Sequence, residues 1–120
     1  MSERLREFRA FRERMNKRIL DAQNLNINRF FNLDGAAYKP GACDELTKEF
    51  AGLSASMVLR CDDCIAYHVI RCKECGATDE QIIEIFNVGL IVGGSIVIPH
   101  LRRAMALLDE LNAESGRAGK

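Results

Sequence analysis

Residues 40–94 decide the fold of this chain, and they read PGACDELTKEFAGLSASMVLRCDDCIAYHVIRCKECGATDEQIIEIFNVGLIVGG. Apolar residues recur in this stretch at the three- and four-residue steps that are typical of helices. A first helix is predicted over Asp44–Leu59, and a second over residues 61–75, where acidic residues come first and basic residues last, as the helix dipole favours. A capping-box pattern at residues 78–81 starts a third helix, which continues through the apolar run Ile82–Ile98. No segment alternates with a period of two, so the stretch predicts helices and no sheet.

The segments on either side extend this helical pattern. Residues 3–20 form an amphipathic helix, with apolar side chains at Leu5, Phe8, Phe11, Met15 and Ile19. Residues 25–33 predict either a second helix or a continuation of the first, and the sequence DGAAYKPG of residues 34–41 predicts a loop. Pro99 either ends the apolar run or starts the next helix, and residues 101–111 predict a last amphipathic helix.

Together these segments predict an all-α fold of about six helices in a single domain, residues 1–120. Its core spans residues 40–113, with an N-terminal helical extension at residues 1–33 and a frayed tail at residues 114–120. The second half of the run Ile82–Ile98 is apolar nearly all round, so we expect it at the centre of the molecule or at a subunit interface. The sequence therefore predicts a homo-oligomer.

The composition narrows the function classes. The chain has 120 residues, of which 48% are apolar and 28% charged, and this excludes wholesale disorder and low-complexity arrays. Lysine and arginine total 17, as do aspartate and glutamate, so no net field favours a nucleic acid or a membrane as partner. The N-terminus lacks the apolar segment of a secretory signal, and the longest apolar stretch, residues 88–99, is too short to span a bilayer. We expect a cytoplasmic location, where clustered cysteines are more often catalytic or metal-binding than disulfide-bonded.

The candidate chemistry is concentrated in the sequence CDDCIAYH of residues 61–68. Cys61, Cys64 and His68 fall on one face of the predicted helix. Cysteines three residues apart on a helix can form a disulfide, and the positive end of the helix dipole favours a thiolate. His68 lies one turn along the same face, and Glu49 lies within or beside the apolar stripe of the preceding helix, so both are candidates for proton transfer. The sequence thus indicates a two-thiol redox site with an acid/base pair.

Each of these residues also has a structural interpretation, because small core cysteines and ordinary helix histidines are common. A second pair, Cys72 and Cys75, completes the pattern C-x2-C-x7-C-x2-C, which suggests zinc or an iron–sulfur cluster. On one unbroken helix the outermost cysteines are about 21 Å apart, so one metal ion cannot bind both pairs. Residues 65–71 contain no glycine or proline to break that helix, so Cys72 and Cys75 are predicted to be small core residues or an auxiliary thiol pair. Cys43 and His100 are predicted to be structural.

Residues 40–94 resemble the carboxymuconolactone decarboxylase family, in its alkyl hydroperoxidase D-like branch. The matching elements are Pro40-Gly41 before the helix, Lys48-Glu49, the pattern Cys61-x-x-Cys64-x-x-x-His68, and Gly76-Ala77-Thr78 followed by Glu80 and Ile82-Ile83. Glu49 stands twelve residues before Cys61, which is the spacing found in this branch. The resemblance implies an all-helical fold that assembles into homo-trimers or homo-hexamers.

The resemblance also implies thiol-dependent reduction of hydroperoxides, or a related disulfide exchange. By that comparison Cys64 is the thiolate that attacks the peroxide, Cys61 is the resolving thiol, and Glu49 and His68 form the proton relay. A dithiol from a lipoyl protein or a thioredoxin-like partner would restore the thiols, and no metal or organic cofactor is predicted. Asp63 is a departure, because the characterised peroxidases of this branch carry a histidine immediately before the second cysteine.

Three other functions remain as alternatives. A carboxymuconolactone-type lactone decarboxylase fits the family, although the decarboxylases as a group lack the CxxC pair. A metal-binding module would use Cys61 and Cys64 together with His68 or with the second cysteine pair, and ligation of one ion by both pairs would require a break in that helix. A redox-sensing or interaction protein would use the basic N-terminal helix to contact its partner.

Overall fold

The structure is a computed structural model that describes residues 2–118. Within that range it contains six α-helices, one short 3-10 turn and no strand, which confirms the all-α prediction. The helices are α1 (Glu3–Asp21), α2 (Leu25–Ala37), α3 (Glu45–Leu59), α4 (Asp62–Glu74), α5 (Asp79–Gly93) and α6 (Ile98–Ala118). They form two compact units, one up to Lys39 and one from Pro40 onwards. No helix of the described part is both long enough and apolar enough to cross a bilayer.

The first unit consists of α1 and α2, which are two helices rather than one. The left-handed backbone of Gln23 (φ 58°) ends the first helix, and the Asn24 side chain starts the second by accepting a hydrogen bond from the Ile27 amide. The predicted loop at Asp34-Gly35 is wrong, because α2 continues through both residues to Ala37. A glycine inside a helix costs only about 1 kcal/mol, so it does not by itself end one.

In the second unit, α3 packs against α4 and α5, and α4 also packs against α6. Asp44 caps α3 by accepting a hydrogen bond from the Thr47 amide. The fully or nearly fully buried apolar side chains of this unit are Leu53, Met57, Ile65, Val69, Cys72, Ile82, Phe86, Val97, Ala104 and Leu108. Burial of a large apolar side chain contributes about 1.5–3 kcal/mol, so this core holds α3 and α4 in fixed register.

The capping box that begins α5 is present, since Thr78 and Gln81 exchange side-chain and backbone hydrogen bonds. The predicted continuation of this helix to Ile98 is wrong, because α5 ends at Gly93. Gly94 has a φ of 84°, a backbone conformation that residues with side chains rarely adopt. It redirects the chain, which continues as the 3-10 segment Ser95–Val97. Pro99 then lies in the first turn of α6, a position that tolerates its missing amide hydrogen.

Several apolar residues at the end of α5 and just after it do not lie at the centre of the unit, although Val97 does. Ile91 and Val92 are 76% and 68% exposed, and Ile96 is 57% exposed. The sequence predicts the apolar run either at the centre of the molecule or at a subunit interface. For these three exposed residues the central location is wrong, and the subunit interface stays a prediction. Helix α6 continues through residues 114–118, the described part of the predicted tail, and residues 119 and 120 lie outside the described residues.

Candidate active site

The corner between α3 and α4 positions the two cysteines of the first pair. Arg60 ends α3 in a left-handed conformation, with φ 59° and ψ 43°. Cys61 then caps α4, and its sulfur accepts a hydrogen bond from the Cys64 amide over 3.3 Å. Cys64 therefore lies in the first turn of α4, where the amide groups and the helix dipole favour negative charge on a side chain.

The sulfur atoms of Cys61 and Cys64 lie 2.6 Å apart. A disulfide bond has a length of about 2.05 Å, so the pair is close to bonding distance without any change in the helix. Cys64 is exposed and Cys61 is partly buried, so Cys64 is the more accessible residue of the two. The structure therefore brings together the two thiols that the sequence placed on one helix face.

His68 and Glu49 form a buried pair beneath this first turn. The distance from His68 Nδ1 to Glu49 Oε1 is 2.7 Å, and the two residues are only 8% and 1% exposed. When Glu49 is ionised it can only accept a hydrogen bond, so Nδ1 of His68 is then the donor, and in a neutral ring Nε2 is the basic nitrogen. The ring edge of Tyr67 packs against the His68 ring, with centroids 5.2 Å apart. This arrangement can take up and return a proton on the Nε2 side.

Arg71 lies near the other oxygen of the Glu49 carboxylate, and no role in a site is predicted for Arg71 from the sequence. Its Nε atom is 3.7 Å from Glu49 Oε2, and its other nitrogens contact Glu45 and Glu74. Residue spacing is the signal that could have identified Arg71. Arg71 follows His68 by three residues on α4, so the two share a helix face, and Glu45 precedes Glu49 by four residues and shares a face with it on α3.

The second cysteine pair lies at the opposite end of α4. Cys72 is fully buried, as predicted, and Cys75 is partly buried at the helix C-terminus. Burial, and then the neighbouring charge of Glu49, raises the pKa of the Cys72 thiol to about 12. Burial also raises the pKa of Cys75, more than the nearby Arg71 guanidinium lowers it. Both thiols are therefore held in the neutral, unreactive form.

The helix between the two pairs is unbroken, so about 18 Å of rise separates its ends and one ion cannot bind both pairs. Within residues 2–118 no group of three or more histidine, cysteine, aspartate and glutamate side chains is arranged to hold a metal ion. The same range contains all five cysteines and no disulfide.

The two residues predicted to be structural, His100 and Cys43, have different environments. His100 contacts a carboxylate, and Cys43 is exposed. His100, for which the sequence showed no carboxylate partner, has its Nδ1 atom 2.7 Å from Asp62 Oδ1. Arg103 contacts the other oxygen of Asp62 at 3.1 Å, so the start of α6 is tied to the first turn of α4 beside Cys61. Cys43 is exposed and lies before the cap of α3, which does not fit a core role.

Comparison with known proteins identifies the wider group to which this geometry belongs. The sequence profile of the carboxymuconolactone decarboxylase family matches residues 27–109. The chain belongs to the carboxymuconolactone decarboxylase family. The family match extends beyond residues 40–94, which carried the resemblance in the sequence, and it includes every candidate site residue.

Solved structures agree with this family assignment. Two crystal structures of a Thermotoga maritima protein superpose with a TM-score of 0.90 at 53% and 51% identity, covering 92% and 95% of this chain and 97% of the other. One of them is described as a carboxymuconolactone decarboxylase family protein with a suggested involvement in antioxidative response. A Legionella pneumophila family member shares the fold at 22% identity, with a TM-score of 0.82 over 91% of this chain and 97% of that one.

Two curated relatives of the present chain are named only as uncharacterized proteins. A Paracoccus denitrificans protein named uncharacterized protein 4 in cox locus is 32% identical over 83 residues, covering 69% of this chain and 75% of the relative. An uncharacterized Cupriavidus necator protein is 28% identical over 92 residues, covering 77% of this chain and 81% of its own length.

Proposed function

We propose that this family member is a thiol-dependent oxidoreductase of the alkyl hydroperoxidase D-like branch, which reduces hydroperoxides through the Cys61–Cys64 pair. One observation carries the proposal. The two sulfur atoms lie 2.6 Å apart at the start of α4, and His68, one helical turn further along α4, is paired with the buried Glu49 of α3. The antioxidative role suggested for the Thermotoga maritima relative supports the same class of chemistry.

In the first step the Cys64 thiolate attacks the terminal oxygen of the hydroperoxide. An S–O bond forms, the O–O bond breaks, and two electrons pass from sulfur to the peroxide. The leaving alkoxide takes a proton and departs as an alcohol, and Cys64 becomes a sulfenic acid. The exposure of Cys64 and its position at the helix N-terminus favour this residue as the nucleophile.

His68 and Glu49 supply the proton relay in this proposal. His68 accepts the proton of the Cys64 thiol at Nε2 and returns it to the leaving alkoxide, so no proton has to come from bulk water. Glu49 holds the imidazole through Nδ1 and stabilises the positive charge that forms on the ring. Burial of the pair strengthens both effects, because the surrounding dielectric is low.

Cys61 completes the cycle as the resolving thiol. It attacks the sulfur of the Cys64 sulfenic acid, water leaves, and the Cys61–Cys64 disulfide forms. An external dithiol, from a lipoyl protein or a thioredoxin-like partner, reduces the disulfide by exchange. The cycle needs no metal or organic cofactor, and it belongs in the cytoplasm, where such dithiols are kept reduced.

Turnover assays with matched cysteine variants test this function. Cys64→Ser should abolish dithiol-dependent consumption of an organic hydroperoxide, and Cys61→Ser should do the same by blocking disulfide formation. Cys75→Ser is the matched control from the second pair of the same helix, and it should keep the turnover of the original chain. Undiminished turnover in Cys64→Ser would refute the assignment.

The relay is tested by two glutamine variants, whose side-chain amide cannot act as the acid or base of the relay. Glu49→Gln and His68→Gln should each slow turnover by about 10²-fold without abolishing it, because general acid–base catalysis typically contributes at least that much. Circular dichroism should show that both variants keep their helices. Turnover rates equal to those of the original chain would remove the pair from the mechanism.

Assembly into a homo-oligomer is part of the same proposal. The exposed apolar residues at the end of α5, Ile91 and Val92, and the nearby Ile96 would be covered by a second copy of the chain. Light scattering should report a trimer or hexamer at micromolar concentration, and a stable monomer would contradict the expectation.

Lactone decarboxylation is the second candidate, because the family assignment allows it and the buried His68–Glu49 pair is itself an acid/base pair. This activity would consume a carboxylated lactone in the absence of any thiol, and it would survive Cys64→Ser. Peroxide reduction would not, so one variant separates the two activities.

A further inference from the structure

The Glu49 carboxylate is held from two sides, and only one side belongs to the relay described above. Oε1 faces His68 Nδ1 at 2.7 Å, and Oε2 faces Arg71 Nε at 3.7 Å. Glu49 is 1% exposed, so its carboxylate is shielded from bulk solvent. Arg71 is therefore the cation that lies at ion-pair distance from the second oxygen of this buried carboxylate.

Arg71 is itself fixed in place by groups on two helices. Its Nη2 atom donates to Glu45 on α3, four residues before Glu49, and lies 3.7 Å from the Cys75 sulfur. Its Nη1 atom donates to Glu74 at 3.2 Å. The Arg71 side chain is 28% exposed, so it spans from the surface of α4 to the buried carboxylate.

We propose that Arg71 is a positioning residue for the His68–Glu49 pair, and this inference rests on the proposed function. By occupying Oε2, Arg71 fixes the rotation of the Glu49 carboxylate so that Oε1 faces His68 Nδ1. The Nδ1 proton then has one acceptor, and Nε2 stays the unprotonated atom of the neutral ring. Without Arg71 the carboxylate can turn about its last bond, and the proton is no longer held on Nδ1.

A guanidinium suits this task better than an ammonium. Its planar fork donates hydrogen bonds to Glu45 and Glu74 while Nε stays at ion-pair distance from Glu49, whereas a lysine ammonium is a single point charge on a flexible stem. Arg71→Lys therefore keeps the positive charge among three carboxylates but loses the fixed direction toward Oε2. Arg71→Met removes both.

The test compares Arg71→Lys and Arg71→Met with Glu74→Gln as the matched control. Glu74→Gln removes one ion pair of Arg71 at the exposed end of α4 but leaves the contact with Glu49. We expect Arg71→Met to lower kcat by about tenfold or more with KM nearly unchanged, Arg71→Lys to restore part of this loss, and Glu74→Gln to match the original chain.

A second measurement separates positioning from mere stability and does not depend on activity. The 15N and proton NMR signals of the His68 ring report which nitrogen carries the proton. The original chain and Glu74→Gln should show the Nδ1-protonated form, whereas both Arg71 variants should show a mixture of the two tautomers. If Arg71→Met unfolds, Arg71→Lys still decides the question, since it keeps the charge.

The outcomes are distinguishable from those of the proposed function. Unchanged kcat together with an unchanged His68 tautomer in folded Arg71→Lys and Arg71→Met would overturn the role of Arg71. Equal losses in Arg71→Met and Glu74→Gln would show a stability effect only, which also overturns it. Absence of peroxide turnover in the original chain would refute the proposed function, while the NMR comparison would still decide whether Arg71 sets the His68–Glu49 pair.

Discussion

The two ends of α4 each carry two cysteines separated by two residues, and their surroundings differ in nearly every respect. At the N-terminal end Cys64 is exposed, its sulfur lies 2.6 Å from that of Cys61, and the Cys64 amide donates a hydrogen bond to the Cys61 sulfur. At the C-terminal end Cys72 is fully buried, and burial raises the pKa of both thiols there. The same short motif is therefore a redox pair or a core element according to the helix end at which it lies.

The difference follows from helix physics rather than from the cysteines themselves. A helix N-terminus presents unpaired amide hydrogens and partial positive charge, both of which favour a thiolate. A helix C-terminus presents carbonyl oxygens and partial negative charge, which disfavour one. Here the packing of the helix against α3 adds to this effect, because it buries Cys72 near the Glu49 carboxylate.

The largest expected effect is on the rate at which Cys72 is alkylated in folded and in unfolded protein. With a pKa of about 12, Cys72 is almost entirely neutral at pH 8, whereas an ordinary unfolded thiol is about one quarter ionised. We therefore expect Cys72 to react with iodoacetamide at least about 10³-fold more slowly in the folded protein than in urea. Peptide mass spectrometry over a time course measures both rates, and rapid labelling of Cys72 in folded protein would break the comparison.

The raised pKa of Cys72 also predicts how stability changes with pH. The folded state holds the thiol proton more tightly than the unfolded state, whose cysteine has an ordinary pKa near 8.5–9. The contribution of the neutral Cys72 thiol to the free energy of unfolding is therefore fully present below pH 8.5 and is lost as the pH rises toward 12. The free energy of unfolding should fall by about 2 kcal/mol more between pH 9 and pH 10.5 in the original chain than in Cys72→Ala.

Urea denaturation at the two pH values measures this difference. Lysine and tyrosine residues titrate equally in both proteins, so Cys72→Ala corrects for them. Parallel pH dependences in the two chains would show that Cys72 does not carry the effect.

The smallest effect concerns the contact that ties α6 to the redox end of α4. Asp62→Asn removes the charge that His100 and Arg103 share, and we expect a loss of about 0.2–1 kcal/mol because the contact is largely exposed. Asp63→Asn is the matched control, because it removes a negative charge from the same first turn of α4 and leaves the contact of Asp62 with His100 and Arg103 in place. Equal free energies of unfolding for the two variants would show that the contact contributes nothing beyond the dipole.

The sequence was sufficient for the parts of the site that depend on local spacing. Cys61, Cys64 and His68 share a helix face at any packing of that helix, and Glu49 stands in an apolar stripe that becomes buried wherever α3 packs. The capping box of α5 likewise depends only on residues 78–81. Features of this kind are set within a few residues of chain, so pattern and chemistry predict them.

Contacts between distant segments could not be predicted in the same way. His100 meets Asp62 across 38 residues, and Arg71 meets Glu45 across 26, because α4 packs against α6 and α3 with a particular rotation. No periodicity encodes that rotation. The errors at Gly35 and Gly94 are also physical. Gly35 lies inside a helix and Gly94 follows the end of one with a φ of 84°, and because glycine tolerates both conformations its presence in the sequence does not decide between them.

The most direct test of the central claim is to map the disulfide formed when reduced protein meets about one equivalent of an organic hydroperoxide. Free thiols are alkylated after unfolding, and trypsin cleaves after Arg60 and Arg71, so the peptide of residues 61–71 contains both Cys61 and Cys64. The account predicts that this peptide escapes alkylation and has lost two hydrogens, while Cys72 and Cys75 are alkylated. Full alkylation of residues 61–71, with all five thiols intact or with a Cys72–Cys75 disulfide instead, would contradict it.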